Sequence, residues 1–274
     1  MNTVLTVGNW LLPLLYLALM IDYGVTFFLR VRTSGGGGGI VAVVLCHAAF
    51  FVLRGIRQGY PPLMSPYEVL SFIAVSIAAV YWLMERVGRD RRAGAFVFLV
   101  AFALQYTSSL FQAHAIGEGA ASGGLASAWD GFHAISAILA YTALILAGVY
   151  GVLERVIERN LKRHRFGPLF DRLPPVDLLG KMIWCALLIG FGFLTVSVLT
   201  GPFLMAHAPG GGPGPIWRTK TIMKIVLGSI AWAICLVGVF GKVFRRWPTR
   251  TISAVAVVEF VVILTMLIAS AALT

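Results

Sequence analysis

The chain has 274 residues, is 59% hydrophobic and only 12% charged, with a mean hydropathy of +0.87. A soluble domain is about 45–50% apolar and about 25% charged, so a disordered chain, a disulfide scaffold and an ordinary soluble enzyme are excluded. The net charge of +11 must sit apart from the apolar mass, as in the cytoplasmic loops of a multi-pass membrane protein; a nucleic-acid binder interleaves its cations with a polar surface, so no nucleic-acid partner is expected.

A helix crossing the hydrocarbon needs roughly 20 apolar residues. Eight continuous runs qualify, at about 8–29, 37–55, 67–85, 93–112, 131–153, 178–204, 221–241 and 252–273. They lack the period-2 alternation of a barrel strand. The predicted fold is all-α: a polytopic membrane helix bundle of about eight transmembrane helices, read as one integral membrane domain over 1–274. Residues 1–7 contain no Lys or Arg, so no basic leader of a signal peptide is expected there.

After spans one, three, five and seven come Arg30 and Arg32, Arg86 to Arg92, Arg155 through Lys181, and Lys242 to Arg250. These are seventeen of the 22 Lys and Arg. The positive-inside rule puts them in the cytoplasm and both termini outside. A bacterial cytoplasmic (inner) membrane is the expected setting, with membrane lipid as a partner.

In chain order, span one carries Asp22, in the inner half of the membrane. Asp22 and Glu259 of span eight either mark a proton path or pair with the basic inner surface, the second being favoured. Gly35 to Gly39 read as a short flexible joint before span two. His47 sits near the middle of span two, either functional or bonded to a neighbouring helix. Arg54 follows on the same helix face and Arg57 one turn later. Cations are scarce on the outer side, so these two are candidates for a carboxylate such as a haem propionate; the alternative is pairing with Glu68 across the 56–66 turn.

His114 ends span four. A Gly/Ala/Ser-rich loop and Trp129 lead to His133, which opens span five. Ala143, Ala147 and Gly151 form a close-packing stripe. Span five continues as a charged cytoplasmic extension, LERVIERNLKRHR, ended by Pro168 and the Pro174-Pro175 pair; His164 there is read as solvated. Span six runs back out to His207, followed by the irregular segment AHAPGGGPGPIWRTK with Trp217. If spans five and six form a hairpin, His133 and His207 are neighbours, and two neutral imidazoles could grip the iron of one flat macrocycle. Trp129 and Trp217 would offer flat apolar surface at the same mouth. The alternative is headgroup contact at two helix ends.

Cys46, Cys185 and Cys235 fall within spans and read as buried small apolar residues. No CxxC, CxxCH, Walker A, HExxH or GxSxG motif occurs, so no enzyme activity is expected.

Several segments together resemble the cytochrome c assembly protein family, and most nearly its short HemX/YpjD-like branch. They are CHAAFFVLRGIRQGYPPLMSPYEVLSF, WDGFHAISAILAYTALILAGVYGVLERVIERNLKRHR, GFGFLTVSVLTGPFLMAH, and IVLGSIAWAICLV with RRWPTRTIS. The resemblance covers about residues 40 to 265. It implies a membrane protein of cytochrome c biogenesis that binds haem, taken as non-covalent haem b, beside other cytochrome c maturation proteins. His47 matches the family's within-membrane histidine. His133, with Ser136 and Tyr141, matches its external haem-ligand histidine. Pro62, Tyr67 and Glu68 match the turn after span two. The chain departs from the full family after span six, where GGGPGPIWRTK replaces a Trp-rich segment and no histidine follows His207. An accessory role in haem handling is therefore expected. Two other readings stand beside it: a b-type electron-transfer subunit, and a haem-independent regulatory or transport protein.

Overall fold

A computed structural model describes residues 2–29, 36–59, 61–63, 65–88, 90–115, 128–164, 172–206 and 219–272. Among them are eight helices: α1 Asn2–Leu29, α2 Gly36–Gln58, α3 Pro66–Gly88, α4 Gly94–Ala115, α5 Ala128–Lys162, α6 Val176–Ala206, α7 Thr219–Arg245 and α8 Thr249–Ala272. Each is long and apolar enough to cross a membrane, where the backbone must satisfy its own hydrogen bonds. The protein is a multi-pass membrane protein.

Helix ends follow local chemistry. Ser65-Pro66-Tyr67-Glu68 starts α3 as a capping box with proline at the first helical position: the Tyr67 N–H donates to Ser65 Oγ at 3.3 Å, and the Ser65 N–H donates to Glu68 Oε2 at 3.1 Å. Gly59, at φ +75°, closes α2. Arg246, at φ 50°, closes α7, and the Trp247 N–H reaches back to Gly241 O at 3.1 Å. The ring of Trp247 lies against Gly241, where a side chain would collide with it.

Gly36–Gly39 are helical, which corrects the expected flexible joint. A glycine costs a helix about 1 kcal/mol, less than a peptide group left unbonded in hydrocarbon. Cys46 and Cys185 are exposed and only Cys235 is buried, a second correction.

The described helices fall into two four-helix units, α1–α4 with residues 172–174, and α5–α8. In the first unit α1 packs chiefly on α4, and α3 on α4. Three buried residues at seven-residue spacing tie α1 to each of its neighbours. The Asn9 amide donates to Ser109 O of α4 at 2.9 Å. The Tyr16 hydroxyl meets His47 Nδ1 of α2 at 3.0 Å. The Tyr23 hydroxyl donates to Glu85 of α3, which also takes Arg91 Nε at 2.7 Å.

In the second unit α5 is the central helix, 72% buried over its most apolar stretch. It pairs with α6 as a hairpin and with α8 along a close seam. Gly148 of α5 seats Phe260, and Gly151 lies against Ser253 O of α8, which a side chain there would meet at 3.0 Å. Glu259 of α8 is 0% exposed. The Cys235 thiol lies beside it, and neither carboxylate oxygen has a hydrogen-bond partner among the described residues. No cation pairs with Glu259 among the described residues, and it lies about 15 Å along α8 from the helix's first residue.

Candidate functional site

Two histidines in the described residues stand in contrasting surroundings, one in each unit. His133 is half-buried in the second turn of α5. Its Nδ1 lies 3.0 Å from Thr200 Oγ1 and 3.5 Å from Ser197 Oγ, both on α6. The single hydroxyl proton of Thr200 is already directed to α6 carbonyls, Val196 O at 2.9 Å and Ser197 O at 3.1 Å. Thr200 therefore accepts from the histidine, and Nδ1 carries the proton. That tautomer leaves Nε2 with a free lone pair, and no described residue occupies it. Trp129 and Phe132, one turn and one residue before His133, are 54% and 51% exposed and meet edge-to-face. They put flat apolar surface on the same helix end. A neutral imidazole whose Nε2 has no hydrogen bond among the described residues, oriented through its other nitrogen, has the chemistry of an iron ligand.

His47 is the reverse case. It is 0% exposed and stacks on Phe51 with ring centroids 4.7 Å apart. Both ring nitrogens are engaged, Nδ1 with Tyr16 at 3.0 Å and Nε2 with Ser71 Oγ at 3.0 Å. Ser71 donates its proton to Gln105 Oε1 at 2.8 Å, and Gln105 Nε2 donates to Ser109 Oγ at 3.0 Å. Donation therefore runs one way, from the Tyr16 hydroxyl into His47 Nδ1 and from His47 Nε2–H into Ser71. A fully satisfied buried network of this kind fixes one packing of α1, α2, α3 and α4.

Arg54 is nearly buried and pairs with Glu68 Oε1 at 2.9 Å, and it also donates to Gln112. Glu68 takes Gln58 as well, at 3.3 Å. Arg54 Nε is buried without a hydrogen-bond partner. Of the two readings of Arg54, a propionate or Glu68, the described structure contains the Glu68 pair. Arg57 is half-buried in the last turn of α2, and no carboxylate pairs with it among the described residues. Asp22 is half-buried in α1. His164, exposed at φ 50°, ends the α5 extension. His207 and Trp217 lie outside the described residues, and so does the side chain of His114.

Tyr16, Ser71, Gln105, Ser109, Ser197 and Thr200 were not singled out from the sequence. The available signal was a set of polar residues inside apolar runs, each of which needs a partner in a membrane.

The chain matches the family model described as "Cytochrome C assembly protein" over residues 63–273. It is 22% identical to the cytochrome c biogenesis protein CcsA of Microcystis aeruginosa, over 91% of this chain and 88% of that protein. It is 28% identical to the CcsA of Nostoc punctiforme, over 58% of this chain and 47% of that protein. It is 27% identical to the protein HemX of Brevibacillus brevis, over 60% of each.

Proposed function

The chain belongs to the cytochrome C assembly protein family, membrane proteins of cytochrome c biogenesis, and from that premise we propose that its cargo is haem, bound non-covalently as haem b through His133. The observation that carries this reading is the tautomer of His133: Thr200 takes the Nδ1 proton and leaves Nε2 for iron. Haem would supply the iron and two carboxylates. The chain supplies a positioned imidazole and the exposed rings of Trp129 and Phe132. His207 is the proposed second ligand, and Trp217 the proposed second aromatic wall. Within the first unit, Arg57 is the proposed cation for a carboxylate such as a propionate; Arg54 serves one only by giving up Glu68, and His47 binds iron only by giving up Tyr16 or Ser71. His47 is accordingly proposed to hold the first unit together more than to hold metal.

The protein acts on this reading as a carrier or holder, with no bond-making step of its own, in a bacterial inner membrane and beside other cytochrome c maturation proteins. The test is the absorption spectrum of protein purified in mild detergent and titrated with haem. A Soret band that His133→Ala removes and His47→Ala leaves in place supports the reading. A colourless preparation that takes up no added haem overturns it.

A further inference from the structure

Helix α5 is longer than a bilayer. Its 35 residues reach about 52 Å at ~1.5 Å per residue, against about 40–45 Å for a bilayer with its headgroups. Its last turns leave the hydrocarbon on the side that the cation count assigns to the cytoplasm. Steps of three and four residues return to one helix face, so Val152 and Val156 share a face with Arg155, Arg159 and Arg163. This face and the start of α8 line a groove of about 590 Å³ within the second unit.

The groove is graded with depth on both walls. On α5, Val152 lies seven residues below Arg159. On α8, which runs the opposite way, Val257 lies seven residues below Arg250. Each step is about 10 Å along the helix, enough to pass from the acyl chains into a headgroup layer of roughly 5–8 Å. Val152 is 41% exposed, so the apolar floor is open. Five cations at the upper level face one carboxylate. Glu158 is shared by Lys162 Nζ at 2.8 Å and Arg250 Nε at 3.0 Å. Arg155 donates to Arg250 O at 3.1 Å, which stiffens the wall. Arg159 and Arg163 are exposed and have no ion pair among the described residues.

We propose that this groove binds the headgroup of an anionic phospholipid. Arg159 and Arg163 hold its phosphate and the valines meet its chains. A free phosphate ion shares the anion chemistry but has no use for the valine floor, and that difference decides between the two sources.

The full chain, purified in mild detergent, is offered phosphatidylglycerol, phosphatidylcholine or inorganic phosphate. Retained lipid is counted by native mass spectrometry, and phosphate is tested as a competitor. The expected result is retention of phosphatidylglycerol but not phosphatidylcholine. Each cation that touches the bound headgroup is worth about a fivefold preference for anionic lipid, so Arg159→Gln with Arg163→Gln weakens retention about thirtyfold. Arg245→Gln with Arg246→Gln removes equal charge from exposed positions of the same unit outside the groove and leaves retention unchanged. The melting temperature of each variant shows that it is folded. Equal retention of the two lipids overturns the proposal. So does full retention by the Arg159/Arg163 variant, or equal loss in the Arg245/Arg246 variant. Displacement of the lipid by an equal concentration of inorganic phosphate makes the groove a phosphate site and overturns the lipid assignment.

Discussion

Thr200→Val tests the His133 tautomer without touching the histidine. Valine keeps the branched shape and removes the oxygen that accepts the Nδ1 proton at 3.0 Å. Partners that orient a metal-binding histidine are worth about 10–100-fold in metal affinity. Ser197 Oγ, at 3.5 Å from the same nitrogen, takes over part of the contact, so the single variant falls at the weak end: about tenfold, or ~1.4 kcal/mol. Adding Ser197→Ala removes the substitute and carries the loss toward about a hundredfold. Thr200→Ser restores the oxygen and the wild-type curve. Haem titration followed at the Soret band reads all three. Thermal denaturation runs alongside, since one lost hydrogen bond costs folding only about 0.5–1.5 kcal/mol. If the Thr200→Val and double variants bind haem as the parent does, the tautomer argument is wrong, whatever His133→Ala shows.

Tyr16→Phe leaves His47 Nδ1 buried without its donor and lowers stability by about 1–3 kcal/mol; an unchanged melting curve in detergent would show that the bond does not form. Arg54→Met takes the cation from the buried Glu68 carboxylate, leaving it the Ser65 N–H and Gln58, and costs about 3–5 kcal/mol. Adding Glu68→Gln recovers part of that loss, and strictly additive effects in the double-variant cycle would refute the ion pair. Gly148→Ala puts a methyl into the Cβ and ring of Phe260 on the α5–α8 seam and destabilises by about 1–3 kcal/mol or more, a loss that Phe260→Gly, which removes that Cβ, partly relieves. Glu259→Gln leaves the melting temperature unchanged, because the carboxylate has no hydrogen bond among the described residues to lose; a large drop would show that a partner exists.

The spans were legible because the bilayer sets a length and a polarity that composition alone meets. The start of α3 was legible in Ser65-Pro66-Tyr67-Glu68, where each residue has one capping task. Partner identity was not. A serine or threonine in an apolar run announces that it needs a bond, but helix rotation decides whether Thr200 reaches His133 or Ser71 reaches His47, and chain order does not fix rotation. Two partners for Arg54 could be named from sequence, a propionate and Glu68, with nothing there to choose between them. Cys46 and Cys185 show a further limit. Lipid is as apolar as a protein core, so an apolar residue on a membrane helix carries no mark of which it faces. The division into two units was hidden for the same reason.

Asn9, Tyr16 and Tyr23 act on α1 as teeth of a key. Their two-turn spacing keeps them nearly in line, and each enters a different helix. Sliding α1 by one turn moves every tooth about 5.4 Å, out of reach of Ser109, His47 and Glu85 together. A helix held by grease alone could settle at several depths, whereas this one has a single seat. It also precedes all three locks in the chain, so during synthesis Tyr16 must wait in the membrane for α2, Tyr23 for α3 and Asn9 for α4.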